Sequence, residues 1–159
     1  MELRDSIVIP ATPDFVFAAL NDPKILRASI PGCETLDRSE NNHFNATVML
    51  SVGPIKARFS GQVMLDERDA PRHFSLVGQG TGGVAGFAKG KVHVQLAPTA
   101  EGTQLTYVVN AQIGGKLAQL GNRLVLATAR RLAASFFEKF STQIAHEIKL
   151  PDLLERKTQ

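Results

Sequence analysis

Between Phe44 and Leu65 apolar and polar residues alternate almost without a slip, and a period of two belongs to a β-sheet with one buried and one wet face. Phe44, Ala46, Val48 and Leu50 share one parity; Asn45, Thr47, Met49 and Ser51 hold the other. After a Val52-Gly53-Pro54 turn the pattern resumes, with Ile55, Ala57, Phe59, Gly61, Val63 and Leu65 set against Lys56, Arg58, Ser60, Gln62, Met64 and Asp66. Similar stretches predict strands over His73–Gly80, Phe87–Leu96 and Thr103–Ile113, so residues 33–113 read as an antiparallel meander.

The flanks obey a different period. Ser6–Ile9 reads as one more strand. Thr12-Pro13-Asp14 then announces a helix, with a cap, a proline at the first helical position and an acid at the positive end of the dipole. Asn21-Asp22-Pro23 repeats that signal for a second short helix ending before Pro31-Gly32. Leu117–Ile148 lacks proline and reads as one long helix, its apolar stripe carried by Leu126, Ala129, Ala133, Phe136, Phe137, Phe140, Ile144 and Ile148. The predicted class is α+β: a curved seven-stranded antiparallel sheet wrapped around a long C-terminal helix, with two short helices after the first strand. Residues 1–150 form one domain in this reading, and 151–159 a polar tail.

Composition narrows the classes. A chain of 159 residues, 43% hydrophobic and 21% charged, fits one ordinary domain and neither a disordered chain nor a coiled coil. No apolar run reaches the ~20 residues of a membrane span, and Glu2, Arg4 and Asp5 break any signal peptide, so a cytoplasmic protein is expected. Cys33 is the single cysteine, which excludes an intrachain disulfide or a thiolate-only metal cage. Residues 1–80 carry eight Lys/Arg against ten Asp/Glu, whereas the remainder carries ten against five. Basicity is therefore confined to the second half, and no acid lies between Glu101 and Glu138.

The same parity puts Phe74, Leu76, Gly78 and Gly80 on the inward face of one strand, and Ala88, Gly90, Val92 and Val94 on that of the next. Small residues meeting there, opposite Ala129 and Ala133, suggest an apolar cavity between sheet and helix; equally, the glycines could serve to bend the strands. Candidate ligand contacts are Glu34, Phe59, Leu76, Gly78, Phe87, Ala88, Gly90, Tyr107, Ala129, Ala133 and Phe136. Few polar handles imply a mostly apolar ligand.

Catalytic groupings are scarce. His43, His73 and His93 fall on the wet parity, and His146 lies off the helical stripe, so no histidine is expected to pair with a nucleophile inside. No metal-ligand spacing is present. Gly78-Gln-Gly80-Thr-Gly82-Gly83 matches a dinucleotide fingerprint literally but leads into a strand, where no helix N-terminus could hold a pyrophosphate. An enzyme would have to rely on Glu34, Asp5 or Tyr107. On the long helix, Leu117, Leu120 and Leu124 point opposite the Ala133-centred stripe and are flanked by Lys116, Arg123 and Arg130. Exposed, they would form an apolar strip edged by cations, suited to a partner protein or a membrane surface; a break at Gly121 would instead return Leu117 and Leu120 to the core. Nucleic acid is not expected, for want of interleaved aromatics.

Several of these segments together resemble one family. Pro13-Asp14-Phe15-Val16-Phe17 with Asn21-Asp22-Pro23, then Ile30-Pro31-Gly32-Cys33-Glu34, Val52-Gly53-Pro54-Ile55-Lys56-Ala57-Arg58-Phe59, Gly86-Phe87-Ala88-Lys89-Gly90 and Gly114–Gly121 resemble signatures of the CoxG family of carbon monoxide dehydrogenase subunits. The resemblance implies the helix-grip fold of the START-like (SRPBCC) superfamily. It further implies an accessory role beside molybdenum hydroxylase subunits, recruitment to the inner face of the cell membrane, and a quinone or lipid in the cavity with no intrinsic cofactor. Some members carry a C-terminal extension for membrane attachment, which is not expected within residues 1–159. Related helix-grip proteins include polyketide cyclases and aromatases, so a cavity enzyme is the alternative, and a pure interaction module with a filled interior is a third.

Overall fold

The structure is a computed structural model and describes residues 1–40 and 42–158, with side chains described as far as Glu147. The chain runs through strand β1 (Glu2–Ile9), helices α1 (Pro13–Leu20) and α2 (Pro23–Ser29), then strands β2 (Cys33–Ser39), β3 (His43–Val52), β4 (Ile55–Asp66), β5 (His73–Thr81), β6 (Phe87–Thr99) and β7 (Gly102–Gly114). Helix α3 (Lys116–Gln119) and helix α4 (Asn122–Thr158) complete it.

All seven strands form one antiparallel sheet in the order β1-β7-β6-β5-β4-β3-β2. The meander expected from the alternation is therefore present, with β1 closing on β7. Registers stack the inward residues into rows: Leu65, Leu76, Val92, Val109 and Leu3 lie side by side, as do Phe74, Val94 and Tyr107, with Asp5 paired to Tyr107 but exposed at the sheet edge.

The short helices start where their caps direct. Thr12 Oγ1 accepts from the Phe15 amide at 3.3 Å and Asp22 Oδ1 from the Lys24 amide at 2.9 Å, satisfying donors that an uncapped end would leave orphaned. Phe17 of α1 meets Phe74 of β5 edge-on at 5.1 Å between ring centroids. Helix α4 buries Phe140 and Ile144 completely against the sheet. Thr103 and Ser29 are also fully buried, and each hydroxyl donates to a carbonyl, of Ala11 at 2.6 Å and of Ile25 at 2.7 Å, so neither imposes the cost of an unpaired polar group.

Two expectations are corrected at the C-terminal end. The helix is not continuous from Leu117: Gly115 has φ +72° and Gly121 has φ +90°, and these left-handed residues set off α3 as a single turn before α4 begins. Beyond Pro151 the backbone stays helical to Thr158, where a tail was expected; Gln159 lies outside the described residues.

Candidate ligand cavity

A cavity of about 480 Å³ lies between the concave face of the sheet and α4. Its floor comes from alternate residues of β3 to β7, among them Val48, Phe59, Val63, Leu76, Val92 and Val109; Ala133, Phe136 and Phe137 of α4 form the roof. The α1–α2 corner closes one side with Leu20, Asn21, Leu26 and Ile30. The roof aromatics brace one another, Phe136 meeting Phe137 edge-on at 5.0 Å and stacking on Phe140 at 5.6 Å. Ala133 then leaves the gap that a larger residue would fill.

Among the described residues only Asn21 and Tyr107 bring side-chain polar atoms to this wall. Asn21 is committed, its Nδ2 donating to the Phe17 carbonyl at 2.9 Å. Tyr107 is 7% exposed and its ring stacks on Phe137 at 5.3 Å. Its hydroxyl makes no hydrogen bond to another described residue. Burial, assisted by the Asp5 carboxylate, pushes its pKa above the ordinary phenol value, so Tyr107 stays a neutral donor in an apolar chamber.

Of the residues expected to contact a ligand, Phe59, Leu76, Tyr107, Ala133 and Phe136 line this cavity. The others do not. Glu34 is displaced by a β-bulge: β2 pairs Cys33 with Val48 and Thr35 with Thr47, so the extra residue turns outward. There Glu34 is exposed, its carboxylate accepting from Arg58 Nε at 2.6 Å and Nη2 at 3.1 Å while its carbonyl accepts from Arg27 at 2.8 Å. The Arg58 hydrogen bonds hold its pKa below the usual carboxylate value. Phe87 sits on the outer face, 46% exposed, because its parity is that of Lys89 and Lys91. Gly78, Ala88 and Gly90 lie beyond the cavity wall. At Gly90 a Cβ would overlap the Asn110 carbonyl oxygen, so that glycine serves the bend and not the hollow. Gly61 does line the cavity, and a Cβ there would meet only the Gln79 carbonyl at 3.4 Å. Ala129 packs beside the core without reaching the cavity wall.

The expected docking strip is also corrected. Leu117 is buried, 6% exposed, and Leu120 and Leu124 are half-buried, because the break at Gly121 changes the helical phase. Lys116, Arg123 and Arg130 are exposed as expected. So are His43, His73, His93 and His146, and no cluster of three or more His, Cys, Asp or Glu able to hold a metal occurs among the described residues. Sequence reasoning missed Leu20, Leu26 and Ile30, although apolar spacing in two capped short helices was the available signal.

The family model for CoxG, a carbon monoxide dehydrogenase subunit, matches residues 6–145. The chain belongs to the CoxG family. That description ties it to a carbon monoxide dehydrogenase system. Among solved structures it is similar to a conserved protein from Geobacillus kaustophilus, with 31% identity over 92% of this chain and 96% of that one, and a TM-score of 0.85. A protein from Thermus thermophilus shares the fold at 17% identity and TM-score 0.70, covering 92% of this chain and 99% of that one. The Zhui aromatase/cyclase from Streptomyces sp. R1128 shares it at 13% identity and TM-score 0.68, over 93% and 95% of the two chains. The fold of this CoxG-family chain is thus helix-grip, as the resemblance implied. No curated protein matches the sequence. No helix among the described residues is long and apolar enough to cross a membrane.

Proposed function

We propose that this chain is a non-catalytic accessory protein of a carbon monoxide dehydrogenase-type molybdenum hydroxylase, working on the cytoplasmic side of the membrane and carrying an apolar ligand such as a quinone or lipid. One observation carries the reading: a hollow of about 480 Å³ whose wall is hydrocarbon apart from Asn21 and Tyr107. Such a volume lies within the range of small-molecule sites. Burial of ligand surface, at about 25 cal/mol per Å², supplies the drive, less the cost of association. Tyr107 supplies the one free donor, which suits a neutral oxygen such as a quinone or ester carbonyl. An anionic headgroup would find no cation in this wall.

The cyclase/aromatase reading draws on the fold shared with the Zhui enzyme. With Glu34 paired to Arg58 outside, that reading has Tyr107 as its inward acid. It predicts that Tyr107→Phe abolishes turnover of a polyketide-like substrate that the parent protein converts.

The carrier reading is tested by organic extraction of protein purified from its native host, and by melting with added short-chain quinones. A near-stoichiometric apolar compound is expected in the extract. A quinone at about 100 times its Kd should raise Tm by roughly 5–10 °C. An empty extract together with an unmoved Tm overturns the reading.

A further inference from the structure

The outer face of the sheet, on the side away from α4, carries a second concavity, of about 810 Å³. Two registered rows of side chains furnish it. Asn45, Gln62, Gln79, Lys89 and Gln112 stand in line from β3 to β7, and beside them Met64, Val77, Lys91 and Asn110 run from β4 to β7. Lys89 and Lys91 flank Gly90, so both cations lie where the sheet bends.

The charge of this groove is one-sided. No carboxylate lines it. Lys89 and Lys91 are exposed, and neither forms an ion pair among the described residues. Asp66, two residues along β4 from Met64, is held by Arg68 through Nε at 3.0 Å and Nη2 at 2.7 Å. Met64 and Val77 face each other across β4 and β5 and are 52% and 53% exposed, and Phe87 also stands outward at the start of β6. An apolar centre left open within a polar margin is the layout of a protein interface, whereas a small-molecule site encloses its apolar groups.

The size agrees. Five strands at about 4.8 Å make a width of about 24 Å, and the nine residues of β5 at about 3.3 Å a length of about 30 Å. The face therefore measures about 700 Å², close to the ~800 Å² that each partner contributes to a standard complex.

We propose that the outer face of β3 to β7 docks a subunit of the hydroxylase through an apolar projection set among Asp and Glu side chains. Met64 and Val77 receive the projection, and Lys89 and Lys91 the carboxylates. The inference rests on the accessory reading for the partner's identity and gives that partner a place on the molecule. A second copy of this chain fits less well, because the groove set against itself brings lysine to lysine with no acid between them. Docking here leaves the concave side of the sheet, and with it the cavity, uncovered by the partner.

The test is binding of the full chain to the immobilised, purified hydroxylase complex of the same host, read as an equilibrium affinity. Binding is expected, weakening with salt. Lys89→Gln/Lys91→Gln should lose about tenfold, the worth of two exposed ion pairs. Val77→Asp should lose about 30-fold or more, as a central interface residue does. Met64→Gln keeps the test intact should Val77→Asp melt below the parent. Arg131→Gln/Lys139→Gln removes the same charge from exposed positions on α4 and should bind as the parent does. Absence of binding by the parent, undiminished binding by the outer-face variants, or equal losses in both double variants overturns the proposal. A parent that sediments as a dimer dispersed by Val77→Asp also overturns it, in favour of a second copy. Uptake of a soluble short-chain quinone, read as a Tm shift, separates this idea from the carrier. A parent that takes up quinone and ignores the hydroxylase removes the docking face alone, whereas one that binds the hydroxylase through this face but no quinone keeps the docking face and removes the carrier.

Discussion

Tyr107 of β7 and Phe137 of α4 lie face to face, ring centroids 5.3 Å apart and planes 25° from parallel, on the wall of the cavity. The stack fixes the phenol ring, and the hydroxyl makes no hydrogen bond to another described residue. Tyr107→Phe should retain the stack and the fold, and lower affinity for a carbonyl-bearing ligand about tenfold, the equivalent of one ordinary hydrogen bond. A melting curve and a ligand titration check this. Equal affinity in parent and variant would remove Tyr107 from recognition.

The glycines of the sheet separate into two kinds, which paired substitutions should reveal. Gly90→Ala drives a methyl into the Asn110 carbonyl and the Ala111 backbone and should destabilise by about 1–3 kcal/mol. Gly61→Ala meets the Gln79 carbonyl at 3.4 Å and otherwise open cavity, so its stability should change little. Urea unfolding of both variants measures the difference.

That division also explains what sequence could and could not convey. Alternation is a property of residue type alone, so the meander, the inward parity and the Phe136–Ile144 stripe are all legible, whereas the pairing of β1 with β7 is not. Gly61 and Gly90 look alike on paper, because what distinguishes them is the distance to a neighbouring carbonyl. Parity counting sets Glu34 in step with Leu36, on the inward side, only for an unbroken register, and the bulge between Cys33 and Thr35 shifts it by one. The break at Gly121 did leave a trace, since Leu117, Leu120 and Leu124 are out of phase with Ala133, and a slip of phase is what a left-handed residue between two helices produces.

The exposed ion pairs set a pH dependence at the acid end. Two hydrogen bonds and a backbone contact from Arg68 lower the Asp66 pKa from 3.8 to about 2. A depressed carboxylate pKa contributes stability above the unfolded value, and that contribution is lost as pH falls through the folded value. The parent's Tm advantage over Asp66→Asn should therefore be constant above pH 3.8 and fade towards pH 2. It should also be small, because both side chains are solvated. An advantage that grows on acidification would contradict the pairing.

The hollow itself can be tested by filling it. Ala133 projects from α4 into the cavity roof between Ala129 and Phe137, one turn from the Phe136–Phe140 stack. Ala133→Leu adds three carbons where the wall is hydrocarbon. In an empty chamber such a change commonly stabilises by about 0.5–2 kcal/mol, whereas in a filled interior overpacking costs about 1–3 kcal/mol. Ligand uptake should fall in step with the gain, because leucine and ligand compete for one space. A higher Tm with diminished quinone response is the expected pair of results. A lower Tm would mean that α4 already rests on solid packing, and a higher Tm with undiminished uptake would place the ligand elsewhere on the protein.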